Sequence, residues 1–162
     1  MNMKSSSLII KYVPRVVALL MASTIYAEDD PIAKPFAGHW EGSAQIAANW
    51  CKQRQLAVAI DIHPDGSVTG KIGDATLANA RFSSNRGWLG RALNLFSDYI
   101  VRGDLNGPIV AADRITRAGV TIPLDVDGDS FVGAVHSSGS KATAAIEDRR
   151  LTALSLKLVR KQ

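Results

Sequence analysis

"GHWEGSAQI", residues 38–46, alternates in character at every step. Trp40, Gly42, Ala44 and Ile46 form one set, and His39, Glu41, Ser43 and Gln45 the other. Successive side chains of a strand point to opposite faces, so this period of two predicts a half-buried strand with Trp40 inward. The same rhythm returns along the chain. "QLAVAIDIH" sets Leu56, Val58, Ile60 and Ile62 inward, "PDG" turns, and "SVTGKI" returns with Val68, Gly70 and Ile72. "ATLANARF" is a fourth strand, and "DYIVRGDL" places Tyr99, Val101, Gly103 and Leu105 on one side. Asn106-Gly107 signals a hairpin into "PIVAADRI". "VTIPLDV" puts Val120, Ile122, Leu124 and Val126 inward, and Asp127-Gly128 turns into "SFVGAVH" with Phe131, Gly133 and Val135 inward. "KATAAIE" is a weaker strand, and "LTALSLKLVR" closes with Leu154, Leu156 and Leu158 inside.

About nine or ten short strands separated by turn signals argue for an all-β antiparallel sandwich or barrel. The inward faces repeatedly carry small residues: Gly42, Ala44, Gly70, Gly103, Ala111 and Gly133. Glycines within strands mark bends and close backbone approach, which a curling sheet needs more than a flat one. The expected fold is therefore an antiparallel up-and-down β-barrel of about 8–10 strands with one short helical connection. That connection is "SSNRGWLGRALNLF", where Trp88, Leu89, Ala92, Leu93 and Phe96 fall at helical spacing, weakened by Gly87 and Gly90.

The segment ahead of this domain has a different character. Lys4, Lys11 and Arg15 precede or interrupt a short apolar run from Val16 to Ala22, and Ala27 stands before the acidic "EDD". This is the pattern of a cleavable export signal over residues 1–27, and it predicts a periplasmic or secreted protein. A spanning helix needs roughly 20 apolar residues, and Lys11 and Arg15 interrupt the run, so no stable membrane insertion is expected after cleavage. Residues 28–37, "EDDPIAKPFA", form an N-terminal tail, and residues 38–162 a single domain. Three of the 19 basic residues leave with the signal, so 16 face 15 acidic ones and the mature charge is +1. Without clustered positive charge, a nucleic-acid partner is not expected. Cys51 stands alone, so the fold depends on its core rather than on internal disulfides.

Here residues carry a resemblance. Gly38-His39-Trp40 resembles the Gly-x-Trp that begins the first strand of lipocalins and their calycin relatives, and avidins open with a similar phrase. Ser97-Asp98-Tyr99 is similar to the Thr-Asp-Tyr of the second lipocalin motif. The resemblance implies that Trp40 plugs a closed barrel end under a stacking Arg from late in the chain, Arg149 or Arg150. The chain is shorter than an ordinary lipocalin and its motifs lie closer together, which argues against a large cavity.

The polar residues compose no familiar reaction centre. His39, His63 and His136 lack metal-ligand spacing, and "DVDGD" at 125–129 reads as a hairpin. "SGSK" at 138–141 lies in a Ser/Gly turn, "RGD" at 102–104 lies along a strand, and "GDSFVG" is not a nucleophile elbow. Glu41, Asp61 and His63 can share an outer face, where side chains are ordinarily solvated. No catalytic residue, cofactor or metal is assigned. The functional candidates are apolar: Trp50, between the first two strands, with Trp88, Leu89 and Phe96, as rim and lid of a pocket for a small apolar ligand. The alternatives are a calycin-type inhibitor of a secreted protease acting through the tail, and a structural envelope protein.

Overall fold

The computed structural model describes residues 30–85, 97–139 and 151–161. The expected helical turn, with Trp88, Leu89 and Phe96, lies outside the described residues, as do all of "KATAAIE", Arg149 and Arg150. Ten strands are described: β1 (Gly38–Ile46), β2 (Gln55–Ile62), β3 (Ser67–Ile72), β4 (Ala75–Ser84), β5 (Tyr99–Asn106), β6 (Pro108–Val110), β7 (Ile115–Thr116), β8 (Gly119–Asp127), β9 (Ser130–Ser138) and β10 (Leu151–Lys161). Eight of them close into one barrel in the order β1-β10-β9-β8-β5-β4-β3-β2, every pairing antiparallel. β6 and β7 pair only with each other, as a separate two-stranded sheet.

The up-and-down barrel is thus as expected, and β1 lies between β2 and β10. The inward apolar side chains fill it: Trp40, Val58, Ile60, Val101, Ile122, Phe131 and Leu156 belong to one core cluster in which no member is more than 7 % exposed. Burying an aliphatic or aromatic side chain of this kind contributes about 1.5–3 kcal/mol, and the barrel interior is where that gain is made.

Three expectations about facing fail, each for a local reason. Leu154 is 47 % exposed while Leu151, Ala153, Leu156 and Leu158 are buried. The register of β10 shifts between Ala153 and Leu156, and Ser155 there has φ +55°. A bulge inserts one residue and reverses the face of everything beyond it. Val126 keeps its inward phase, opposite Phe131, but lies next to the hairpin tip at Gly128 and is 44 % exposed. "PIVAADRI" is not a barrel strand. β5 uses its ladder on β8, Pro108 has no N–H to donate, and Ala111 is exposed in the turn between β6 and β7.

The glycines act by close approach. A Cβ on Gly42 would overlap the Lys157 carbonyl of β10, and one on Gly133 would overlap the Pro123 carbonyl of β8. Gly42 therefore admits the backbone of the last strand. Gly42→Ala is expected to destabilise the protein by about 2–3 kcal/mol, because backbone cannot yield as a side chain can. Gly128→Ala, where the space is open but φ is +59°, should cost about 1 kcal/mol. Urea denaturation of the two variants checks the order, and equal losses would contradict it.

Candidate functional site

The two ends of the barrel are closed by different means. β1, β5 and β9 begin at one end, and β2, β4, β8 and β10 finish there. The tail seals this end. Asp30 donates its N–H to Pro64 O (2.8 Å), its carboxylate accepts from Ile32 N (2.8 Å), and Ala33 is fully buried. A 3-10 turn, Lys34–Phe36, then delivers Phe36 into a cluster of aromatic rings. Its ring centroid lies 4.8 Å from Tyr99, 5.3 Å from Phe131 and 5.6 Å from Phe82. Trp40 is 4.5 Å from Phe131, and its Nε1 donates to Phe36 O (2.8 Å). The indole nitrogen, costly to bury unpaired, is thereby satisfied by the tail it holds in place.

A late arginine does stack over Trp40, and it is Arg160, with its guanidinium carbon 4.9 Å from the ring centroid. Arg160 is the residue directly opposite Trp40 on β10, and its Nη2 donates to Pro35 O (2.7 Å). The signal was present in the strand itself: beyond the bulge, Arg160 continues the inward phase of Leu156 and Leu158. Such a contact contributes about 0.5–1 kcal/mol at an exposed position. Gly38 opens β1 at φ +140° beside the Arg160 side chain. Tyr99, the last residue of the second motif, belongs to the same floor. Outside the floor lies a cleft of about 510 Å³ lined by Pro35, Phe36, Trp40, Asp129, Val159 and Arg160. With a guanidinium and a carboxylate among its walls, it is poorly matched to an apolar guest.

On the outer face near this end, His39 takes the place expected for His63. Its Nδ1 is 2.7 Å from Asp61 Oδ1, its cross-strand partner, and its Nε2 is 3.0 Å from Glu41 Oε1. Lys161 Nζ lies 3.8 Å from the other Glu41 oxygen. His63 instead meets Thr69 Oγ1 at 3.1 Å. With a carboxylate at each ring nitrogen, the protonated His39 ring donates twice, once to each carboxylate. The cluster is a clasp between β1 and β2.

The opposite end is built from three loops. Trp50 lies in the β1–β2 loop, 39 % exposed, with the Arg117 guanidinium carbon 5.8 Å from its ring centroid. Trp50 therefore lies at the end of the barrel opposite Trp40. The connection that carries Trp88, Leu89 and Phe96 leaves β4 and enters β5 at the Trp40 end, so the structure does not bring its flanking residues to Trp50. Residues 107–118, between β5 and β8, cross this mouth and place Ile109 and Val110, fully buried, and Ile115, nearly so, in the core.

Two aspartates hold that crossing segment. Asp74 in the β3–β4 turn accepts from Ala111 N (2.8 Å), and its own N–H donates to Ile109 O (3.2 Å). Asp113 reaches the β1–β2 loop, where one carboxylate oxygen accepts from Cys51 Sγ (3.1 Å), Lys52 N (2.9 Å) and Gln53 N (3.3 Å). The Cys51 hydrogen bond, helped by the two amides, holds the Asp113 carboxyl below the usual carboxylate range. Burial, then the Asp113 contact, pushes the Cys51 thiol up, so it serves as a neutral donor. None of Ile109, Asp74, Asp113 or Ile115 was singled out from the sequence. The available signal was Gly107-Pro108, which interrupts a strand pattern.

Hydrogen bonds to Glu41 first and Asp61 second raise the His39 titration above its ordinary 6.5, while the His39 contact lowers that of Glu41. The His39 contribution to stability is therefore complete below about pH 6.5 and is lost as pH rises through the elevated value of the folded state. In an NMR titration of the ring protons, the His39 midpoint is expected above 6.5 and should fall in Glu41→Gln; a wild-type midpoint at or below 6.5 would refute the clasp.

Comparison of the chain with protein-family models, with curated proteins and with solved structures gives no match to any of them.

Proposed function

We propose that this chain is an exported, lipocalin-like barrel that binds a small apolar ligand, entering from the end that carries Trp50. The observation that carries this reading is the asymmetry of the two ends. The Trp40 end is sealed by five aromatic rings, an arginine stack and the tail. The other end is covered by a short two-stranded sheet that makes no ladder with the barrel. An apolar interior with one permanent floor and one lightly held cover suits a carrier or receptor of small molecules. The basic and apolar opening of the sequence supports export.

The placement of the tail also supports binding over inhibition. To enter a protease, residues 30–37 would have to withdraw Phe36 from its ring contacts and strip Trp40 of its hydrogen-bond acceptor. That exchange costs about 2–4 kcal/mol before any contact with the enzyme is made. Phe36→Ala should accordingly destabilise the barrel by about 2–3 kcal/mol, read by thermal or urea denaturation. An unchanged midpoint would return the tail to the role of a free segment.

The binding reading is tested with N-phenyl-1-naphthylamine, a neutral apolar probe whose fluorescence rises on leaving water. Saturable uptake with micromolar affinity, about −8 kcal/mol, is expected. Solvent extraction of the protein purified from its native source, followed by mass spectrometry, should yield a small apolar compound. Neither saturation nor an extractable compound would leave the reading without support.

A further inference from the structure

We infer that residues 107–118 are an autoinhibitory strap: Ile109, Val110 and Ile115 occupy the space a ligand would take, and the Asp113 and Asp74 carboxylates latch them there. This rests on the binding reading above and specifies how that site is controlled.

Three independent observations carry it. The first is volume. The three strap side chains are buried members of the barrel's core cluster. A guest that takes their place must displace them, because a packed core does not accept added volume. The ligand class is therefore a neutral, compact hydrocarbon-like molecule rather than a long-chain lipid.

The second observation is the weakness of the strap's own structure. β6 and β7 pair at Pro108 with Thr116 and at Val110 with Ile115, with a register shift between, and they join no barrel strand. A two-stranded sheet of this length is marginal by itself. Apart from the Asp74 contacts, the strap's backbone bonds to the barrel lie at Ala118, which accepts from Leu105 N and donates to Ser138 O, so residues 108–116 can lift without breaking the ladder that holds the barrel closed.

The third is the latch. The donors to Asp113 come from three successive residues, Cys51, Lys52 and Gln53, about sixty positions away in sequence and on a different loop. A loop merely packed on the surface needs no such cross-tie. Arg117, over Trp50, links the outgoing limb of the strap to the same loop. Release of the Asp113 carboxylate therefore frees the strap from the β1–β2 loop, and release of the Asp74 contacts with Ile109 and Ala111 completes the opening.

The experiment uses the native Cys51. In Asp113→Cys, the new thiol stands where a carboxylate 3.1 Å from Cys51 Sγ now lies, close enough for a disulfide after small adjustment. Oxidised, this variant is locked; dithiothreitol unlocks it. Uptake of N-phenyl-1-naphthylamine should fall about tenfold or more in the oxidised form and recover on reduction. Asp113→Ala, which needs no disulfide, should speed uptake about tenfold. In wild type, the Ala111 and Arg114 amides should exchange hydrogen at least about a hundredfold faster than those of β2 and β5. Uptake that is equal with and without the disulfide, and unchanged in Asp113→Ala, overturns the strap and leaves the binding reading standing. No uptake in any form, with fast strap exchange, overturns the binding reading itself. Strap amides as slow as those of the barrel strands overturn the strap.

Discussion

The pairing of β1 with β10 is the constraint on which the rest depends. An antiparallel sheet of this size leaves two edges of unpaired backbone groups unless it closes. Here the first and last strands meet along Gly42 and Leu158, with Gly42 bare so that the β10 backbone can come in. Closure creates an inside, and the inside is where the apolar half of every strand is buried. It also fixes which residues face each other at the ends. Trp40 meets Arg160 because the register of β1 on β10 makes them direct partners. His39 meets Asp61 because β1 also pairs with β2.

From that closure the two ends diverge in cost. At the Trp40 end the polar groups are satisfied locally and the rings interlock, so opening it would strand the Trp40 and Arg160 donors and expose several aromatic faces at once. At the Trp50 end the cover is a short hairpin, tied to the barrel by backbone bonds at Ile109 and Ala118 and by carboxylates that accept from loop donors. Burial describes where the side chains are; the partners of the backbone describe how easily they leave.

The charges follow the same division. The His39 clasp ties β1 to β2 on the outside, near the Trp40 end. Asp113 and Asp74 sit at the other end and hold a movable piece. Cys51, alone in the sequence, is used there as a hydrogen-bond donor in a protected place, which suits a thiol whose ionisation is disfavoured by burial.

How much of this was legible beforehand is seen in single residues. The alternation around Trp40, the hairpin at Pro64–Gly66 and the glycines at 42, 70, 103 and 133 contain the barrel, because period two and close backbone approach are local properties of the chain. Leu154 was misjudged because a bulge at Ser155 reverses facing with no mark in the hydrophobic pattern. The stacking arginine was sought at Arg149 or Arg150, whereas only register shows that Arg160 stands opposite Trp40. The strap was read as another strand, since Pro108-Ile109-Val110 is as apolar as a strand, and only the competition of β8 for the edge of β5 excludes it from the barrel. The sequence by itself determined an all-β chain with Trp40 inward, because side-chain alternation is inscribed residue by residue. Only the tertiary structure decided which end is sealed and which is latched, because those contacts join residues far apart in sequence whose meeting depends on closure and register.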